Sequence, residues 1–331
     1  MSPSGNVLRN EFTWSVSRQR LYEECPRAYY FRYYGSWEGW SSTAPPLARA
    51  LYILKQLKSR QMWAGSLVHE AVEQLLQRLR AGDPCPTDAA PLAEETIANR
   101  MRPQFKESRD GAYLKNPKGA VGLVEHHYDQ HVTADQWRTL ADDVRRALET
   151  FVSRYAGPVA GLAQDDWLLL EDLESFAVDD VPVWVKCDLA YRARGGRIII
   201  VDWKTGKRVP QPGSLQLGCY GLYAAERWNV DPSQVLVREI NLTIGAEGSA
   251  GLARQDMETT RATISSGIRL LQSKLADVAE NVAHPDAFPA AAGPRQCRRC
   301  PYLEACPEGL QAAPMTGAGK LKPLLAEIDI T

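Results

Sequence analysis

Apolar positions fall at helical spacing along the first half of the chain and take on strand texture along the second. Leu67, Val68, Ala71, Val72, Leu75, Leu76 and Leu79 recur three and four residues apart inside a stretch, 47–80, that reads as mostly helical, with His69 and Glu73 one turn apart on the flank of the stripe. Before it, residues 15–34 (SVSRQRLYEECPRAYYFRYY) open on capping residues and are broken at Pro26, which predicts two short helices around Cys25. After it, a Pro-rich break at 83–91 leads into helical stretches that continue to about residue 155 around the loop GAYLKNPKG, so that 83–153 reads as a helical insertion.

From Trp167 onward WLLLEDLESFAV, PVWVKCDLAYR and RIIIVDWK each read as a strand, with turn signals at Asp179-Asp180 and Gly195-Gly196. A helix over about 214–228, a strand around 235–243 and a long helix over about 257–282 follow. The order β-β-β-α-β predicts an α/β fold, a mixed sheet flanked by helices, with its core over 165–245. No repeat or low-complexity tract is evident, and the tail after Leu310 has no clear pattern.

Alternation along the third strand sets Ile198, Ile200, Asp202 and Lys204 on one face and Ile199, Val201 and Trp203 on the other. Asp188, on the preceding strand, falls beside Asp202 if the hairpin loop is odd in length, for example Arg194-Gly195-Gly196 closing between Ala193 and Arg197. An even loop at Gly195-Gly196 would set Asp188 opposite Trp203 and put the carboxylates on opposite faces. Two carboxylates on one face form a hard-oxygen site suited to Mg²⁺ or Mn²⁺. The adjacent lysine can orient an attacking water and offset charge that builds on a phosphate.

The formal net charge is −1, so a nucleic-acid surface would have to be a local basic groove. Residues 1–12 lack the order of a secretory signal and no apolar run approaches the ~20 residues that span a bilayer, which predicts a cytoplasmic protein. In that reducing compartment the seven cysteines suggest metal rather than disulfides: Cys25 stands alone, and Cys297, Cys300 and Cys306 form C-x2-C-x5-C. Four thiolates can hold Zn²⁺ or a [4Fe–4S] cluster. Cys85, Cys187 and Cys219 lie outside the pattern and read as small apolar residues. His127 and His131 form an i, i+4 pair without the H-E-x-x-H arrangement, and the nearest stretch to a phosphate-binding loop, Gly317-Ala318-Gly319-Lys320, lacks the upstream glycine.

The chain also carries GSLVHE (65–70) ahead of the sheet and LQLGCY (215–220) after it. With these it resembles the RecB-type branch of the PD-(D/E)XK nuclease superfamily, which orders a G-x-x-x-H helix, an aspartate at a strand end, D/E-x-K on the next strand and Q-x-x-x-Y on the following helix: here Gly65 with His69, Asp188, Asp202 with Lys204, and Gln216 with Tyr220. The resemblance implies that His69, Asp188, Asp202 and the Trp203 carbonyl hold the metal, that Lys204 acts on the nucleophilic water, and that Gln216 and Tyr220 position DNA or the lysine, with Tyr223 continuing their stripe. The 1 + 3 cysteine pattern resembles the iron–sulfur nucleases of the family, including AddB-type recombination nuclease domains, CRISPR-adaptation nucleases and eukaryotic mitochondrial exonucleases. It implies a [4Fe–4S] clasp joining an N-terminal segment, 15–46, to a C-terminal one, 290–310.

The activity so implied is a metal-dependent exonuclease on single-stranded DNA ends, in repair, recombination or defence, with a helicase or defence complex as partner. The rival readings are a catalytically inactive DNA-end-binding subunit of a helicase complex and a redox-responsive regulator on the same scaffold. For the nucleic-acid surface, Arg18, Arg20, Arg27 and Arg32 interleave with Tyr22, Tyr29, Tyr30, Phe31, Tyr33 and Tyr34. Most of these aromatics read as packing around Cys25, and Lys106, Arg109, Lys115 and Lys118 offer an external phosphate contact.

Overall fold

A computed structural model describes residues 8–211, 213–314 and 319–325. The first half holds α1 (Val16–Glu24), α2 (Pro26–Tyr30), α3 (Pro46–Lys55), α4 (Arg60–Arg80), a run of short helices over 90–127, and α5 (Ala134–Phe151). Side-chain caps start three of them: Ser15 accepts from the Arg18 N–H, Ser59 from the Met62 N–H, and Thr133 forms a reciprocal box with Gln136. Cys25 closes α1 in an extended conformation and Pro26 opens α2, which gives the two short helices the sequence predicts.

The second half holds β1 (Trp167–Leu170), β2 (Leu173–Val178), β3 (Val181–Lys186), β4 (Leu189–Arg192), β5 (Ile198–Lys204), α6 (Leu215–Arg227), β6 (Val235–Asn241), β7 (Ala246–Gly251), α7 (Arg254–Gln272) and a short pair, β8 (Leu275–Asp277) with β9 (Val282–Ala283). The central sheet runs β1-β4-β5-β6-β7 and is antiparallel except between β5 and β6, whose parallel pairing needs the crossover that α6 supplies. β2 and β3 form a separate hairpin, closed by Asp179 and Asp180, both at positive φ.

Helices cover both faces of the sheet. Val68, Val72, Val144 and Phe151 of α4 and α5 pack with Ile199, Val201 and Trp203, while Leu217, Tyr220, Ile264 and Ile268 of α6 and α7 pack with Ile198, Ile200 and Val237. Burial on both faces is why β5 reads as an almost unbroken apolar run up to Asp202. A third core joins the two ends of the chain, with Phe31, Leu51 and Leu54 against Tyr302 and Leu303.

Two expectations are corrected, and one strand that the sequence does not mark is added. The first two predicted strands are four, because the chain turns at Glu171-Asp172 and at Cys187-Asp188: β1 and β4 enter the central sheet while β2 and β3 leave it, a change that apolar texture does not mark. β7 (AEGSAG) escapes a sequence reading because Gly, Ala and Ser carry little strand preference, and it is held by its pairing with β6. The helix predicted to reach residue 282 ends at Gln272. Leu275, Val278 and Val282 prolong its apolar pattern, but Val278 and Val282 are exposed and Asn281 sits at φ 50°.

Of the tail, Leu321 is buried in the third core. Residues 315–318 and 326–331, which include Gly317 and Ala318 of the glycine–lysine stretch, lie outside the described residues, as do residues 1–7. Among the described residues no helix is long and apolar enough to cross a membrane.

Candidate active site

Three acidic residues stand at the ends of three adjacent strands. β4 and β5 pair with Leu189 opposite Val201 and Arg192 opposite Ile198, and the Ala193 N–H donates to the Arg197 carbonyl at 2.8 Å. The loop is therefore the odd one, Arg194-Gly195-Gly196, and the register runs on to set Asp188 opposite Asp202. β1 pairs with β4 through Leu170 opposite Leu189, which sets Glu171 beside Asp188, and the Glu171 N–H donates to the Asp188 carbonyl at 3.1 Å. Sequence reasoning missed Glu171 by running β1 and β2 together. The acidic pair Glu171-Asp172 interrupting an apolar run is the signal that marks it.

Asp188 is buried and divides its two oxygens. Oδ2 accepts the Trp203 backbone N–H at 2.5 Å, and Oδ1 lies 3.3 Å from His69 Nδ1. The N–H and C=O of a strand residue point the same way, so the Trp203 carbonyl faces the same side, just past the end of β4. His69 reaches the pocket because Gly65, one turn earlier on α4, lets the helix close on the end of β5: a Cβ at residue 65 would stand 2.9 Å from Thr205 Oγ1. His69 Nδ1 is also 3.7 Å from Glu171 Oε1, and Glu171 Oε2 is 2.6 Å from Lys186 Nζ. Glu171 holds φ 55°, a left-handed conformation that costs a non-glycine residue about 1–3 kcal/mol.

Asp202 is 3% exposed. Its Oδ1 lies 2.9 Å from the Tyr220 hydroxyl and accepts from Gln216 Nε2 at 3.1 Å. Its Oδ2 forms an ion pair with Lys204 Nζ at 2.5 Å. Gln216 Oε1 accepts from Lys204 Nζ at 3.3 Å while its Nε2 donates to the Tyr220 hydroxyl at 2.7 Å. That hydroxyl is 2.7 Å from the Lys186 carbonyl and can give its one proton there or to Asp202.

Gln216 and Tyr220 thus work as i, i+4 neighbours on α6. Tyr220 is buried, with its hydroxyl against Asp202, Gln216 and the Lys186 carbonyl. Tyr223 is corrected: it turns into the core, 5.6 Å from the Trp228 ring, away from the pocket.

Burial alone would lower the His69 imidazole, but the Asp188 carboxylate and then Glu171 push it up to about 10. Burial pushes the Asp188 carboxyl up, against the pull of His69. Each acid is thus matched by a cation: Asp188 by His69, Asp202 by Lys204 and Glu171 by Lys186. Buried carboxylates, a backbone carbonyl and one imidazole form a donor set that fits Mg²⁺ or Mn²⁺. Among the described residues only His69, Glu171 and Asp188 bring three donor atoms of this kind within 4.8 Å of one another.

A family model, described as the PD-(D/E)XK nuclease superfamily, matches the chain over residues 13–307. The chain belongs to the PD-(D/E)XK nuclease superfamily. Members are typically phosphodiester-hydrolysing nucleases and usually use divalent metal ions. No curated protein matches the chain.

In this PD-(D/E)XK chain the two ends meet. Arg27 Nε donates to the Phe288 carbonyl at 2.8 Å, the Arg27 N–H to the Pro289 carbonyl at 3.2 Å, and Gln296 Nε2 to the Glu24 carbonyl. Cys25, Cys297, Cys300 and Cys306 line one cleft as a result. Cys25 and Cys306 are the residues before Pro-started helices, and the Gly293 and Gly309 N–H groups donate to the Cys297 and Cys306 sulfurs at 3.4 and 3.3 Å. Burial pushes the Cys300 thiol up to about 12 and the Cys306 thiol up to about 11, with Cys25 nearby adding to both. Thiolates here would need a cationic partner.

Most of the aromatic segment packs inward, as expected, but around Phe288 instead of Cys25. Tyr29 and Phe31 are buried, and Tyr22, Tyr29, Tyr30 and Tyr34 surround Phe288. Arg18 stacks over Tyr33 at 4.1 Å, whereas Arg20, Arg27 and Arg32 line the cleft. Lys106, Arg109, Lys115 and Lys118 are exposed. His127 is buried with both ring nitrogens engaged, Nδ1 by Tyr113 at 2.8 Å and Nε2 by Glu304 at 2.5 Å, so it cannot share a metal with His131.

Proposed function

We propose that this protein is a divalent-metal-dependent deoxyribonuclease of RecB type that attacks single-stranded DNA at an end, and that Cys25, Cys297, Cys300 and Cys306 hold a [4Fe–4S] cluster. The observation that carries the nuclease reading is the bond from the Trp203 N–H to Asp188 at 2.5 Å, which locks the two acidic strands into one pocket beside Lys204. His69, Asp188, Asp202 and the Trp203 carbonyl would hold the ion. When bound it polarises the phosphate and eases loss of a proton from water. Lys204, steadied by Gln216, orients the attacking water and offsets charge on the phosphate, while Tyr220 keeps Asp202 turned toward the pocket.

A cleft of about 1420 Å³ reaches from the cysteines to the loop after β5, where Gly206 and Lys207 form part of its wall. Arg20, Arg60, Arg295 and Arg299 also line it, which supports a path for a phosphate backbone. The cluster reading is supported by the 1 + 3 arrangement, Cys25 with Cys297, Cys300 and Cys306 on one cleft, which resembles the iron–sulfur nucleases of the family.

The test is incubation of the purified protein with end-labelled single- and double-stranded DNA and RNA, with Mg²⁺, with Mn²⁺ and with chelator. Metal-dependent shortening of single-stranded DNA from its ends is the expected result. Intact substrates under every condition would refute the reading.

A further inference from the structure

We propose that Glu171 is a further ligand of the ion held beside Asp188, and that Lys186 is the cation that occupies Glu171 until the ion arrives. The inference rests on reading the pocket as a divalent-metal site and adds a residue to it.

Glu171 is not placed like a surface acid. Its side chain is 5% exposed, its backbone is in the left-handed region at φ 55°, and its N–H is spent on the Asp188 carbonyl, so the chain is turned at this point with the carboxylate directed inward. One carboxylate oxygen lies 3.7 Å from His69 Nδ1, the nitrogen that also faces Asp188, and the three residues offer donor atoms within 4.8 Å of one another. Donor atoms this close would need to move little to share one ion.

The second oxygen is 2.6 Å from Lys186 Nζ. Lys186 is half exposed at its side chain, while its carbonyl is 2.7 Å from the Tyr220 hydroxyl, so its backbone is tied to the pocket and its ammonium is free to swing out. An ammonium on a flexible stem is a compact charge that can leave without disturbing the strand. It therefore serves as a placeholder, compensating a buried carboxylate in the metal-free protein and giving way to a doubly charged ion.

The test is Mn²⁺ binding to chelator-stripped protein, followed by calorimetry and by the paramagnetic resonance of free Mn²⁺, with no substrate present. Glu171→Gln should weaken binding about tenfold or more. Lys186→Met should tighten it about threefold or more, because no ammonium has to be displaced. Unchanged Mn²⁺ affinity in Glu171→Gln, with a melting curve that shows it folded, overturns the inference. If Glu171→Gln does not fold, Lys186→Met decides, and unchanged or weaker binding there overturns it. A wild-type protein that binds no Mn²⁺ overturns the metal reading itself, whereas wild-type binding matched by Glu171→Gln overturns only the role of Glu171.

Discussion

Asp188 accepts the Trp203 backbone N–H at 2.5 Å, so a side chain from one strand completes the hydrogen bonding of its neighbour at the point where the strand pairing ends. β4 begins at Leu189, and without Asp188 the Trp203 N–H would face the pocket unpaired. One carboxylate thus fixes the strand end, presents its other oxygen to His69, and leaves the Trp203 carbonyl facing the same space.

Tyr220→Phe tests the brace on Asp202. Removing the hydroxyl takes a hydrogen-bonding partner from a buried carboxylate, so stability should fall by about 1.5–3 kcal/mol, the range for a hydrogen bond to a charged group. Cleavage should be slowed while Mn²⁺ still binds. Thermal melts and cleavage rates at saturating metal check both, and a variant as stable and as fast as wild type would show the hydroxyl to be idle.

How much of this was legible in the sequence depends on how local each feature is. The β5 alternation and the i, i+4 pair on α6 rest on neighbours a few residues apart, and a reading of the chain finds them; it poses the choice between an odd and an even loop at Gly195-Gly196 but leaves it open, and the pairing of Ala193 with Arg197 decides it. Glu171 and β7 depend on which strands lie side by side, and nothing within WLLLED or AEGSAG encodes the partner strand. The role of Gly65 was legible only as part of a motif. Its physical reason, the approach of α4 to Thr205, requires the packed structure. Cys25 could be matched to the distant trio by count and spacing, yet the bonds from Arg27 to Phe288 and Pro289 that bring the ends together carry no pattern at all.

Metal affinity should rise with pH. Asp188 and then Glu171 push His69 up to about 10, so at neutral pH the imidazole carries a proton that an incoming ion would displace. The charged form prevails below that value and the ligating neutral form grows as pH approaches it. Mn²⁺ affinity should therefore increase by up to about tenfold per pH unit between pH 6.5 and 8.5, with proton release on binding. His69→Ala should flatten the slope and severely impair activity. Because imidazole is a softer donor than oxygen, Mn²⁺ should also support activity at least as well as Mg²⁺. Calorimetry in buffers of different ionisation enthalpy reads the proton directly, and an affinity that falls with rising pH would contradict the ligand role of His69.

Protein purified without oxygen should be brown and contain about four irons per chain. Cys25→Ser and Cys300→Ser should each lose the colour and markedly lower stability, since the metal–ligand bonds form only in the folded chain. Cys85→Ser and Cys219→Ala should keep the colour, because these two thiols pack against other cores and lie outside the cleft. Colourless protein with one zinc would retain the clasp and reject the cluster.

The most direct test of the central claim compares wild type with Lys204→Ala on end-labelled single-stranded DNA in Mn²⁺, measuring cleavage and binding in the same preparation. Lys204 touches Asp202 and Gln216 and is not part of the core, so its loss should leave the fold and DNA binding largely intact while slowing cleavage by about 10²-fold or more. Cleavage at the wild-type rate by Lys204→Ala, in protein free of host nucleases, would contradict the account and remove the pocket as its active site.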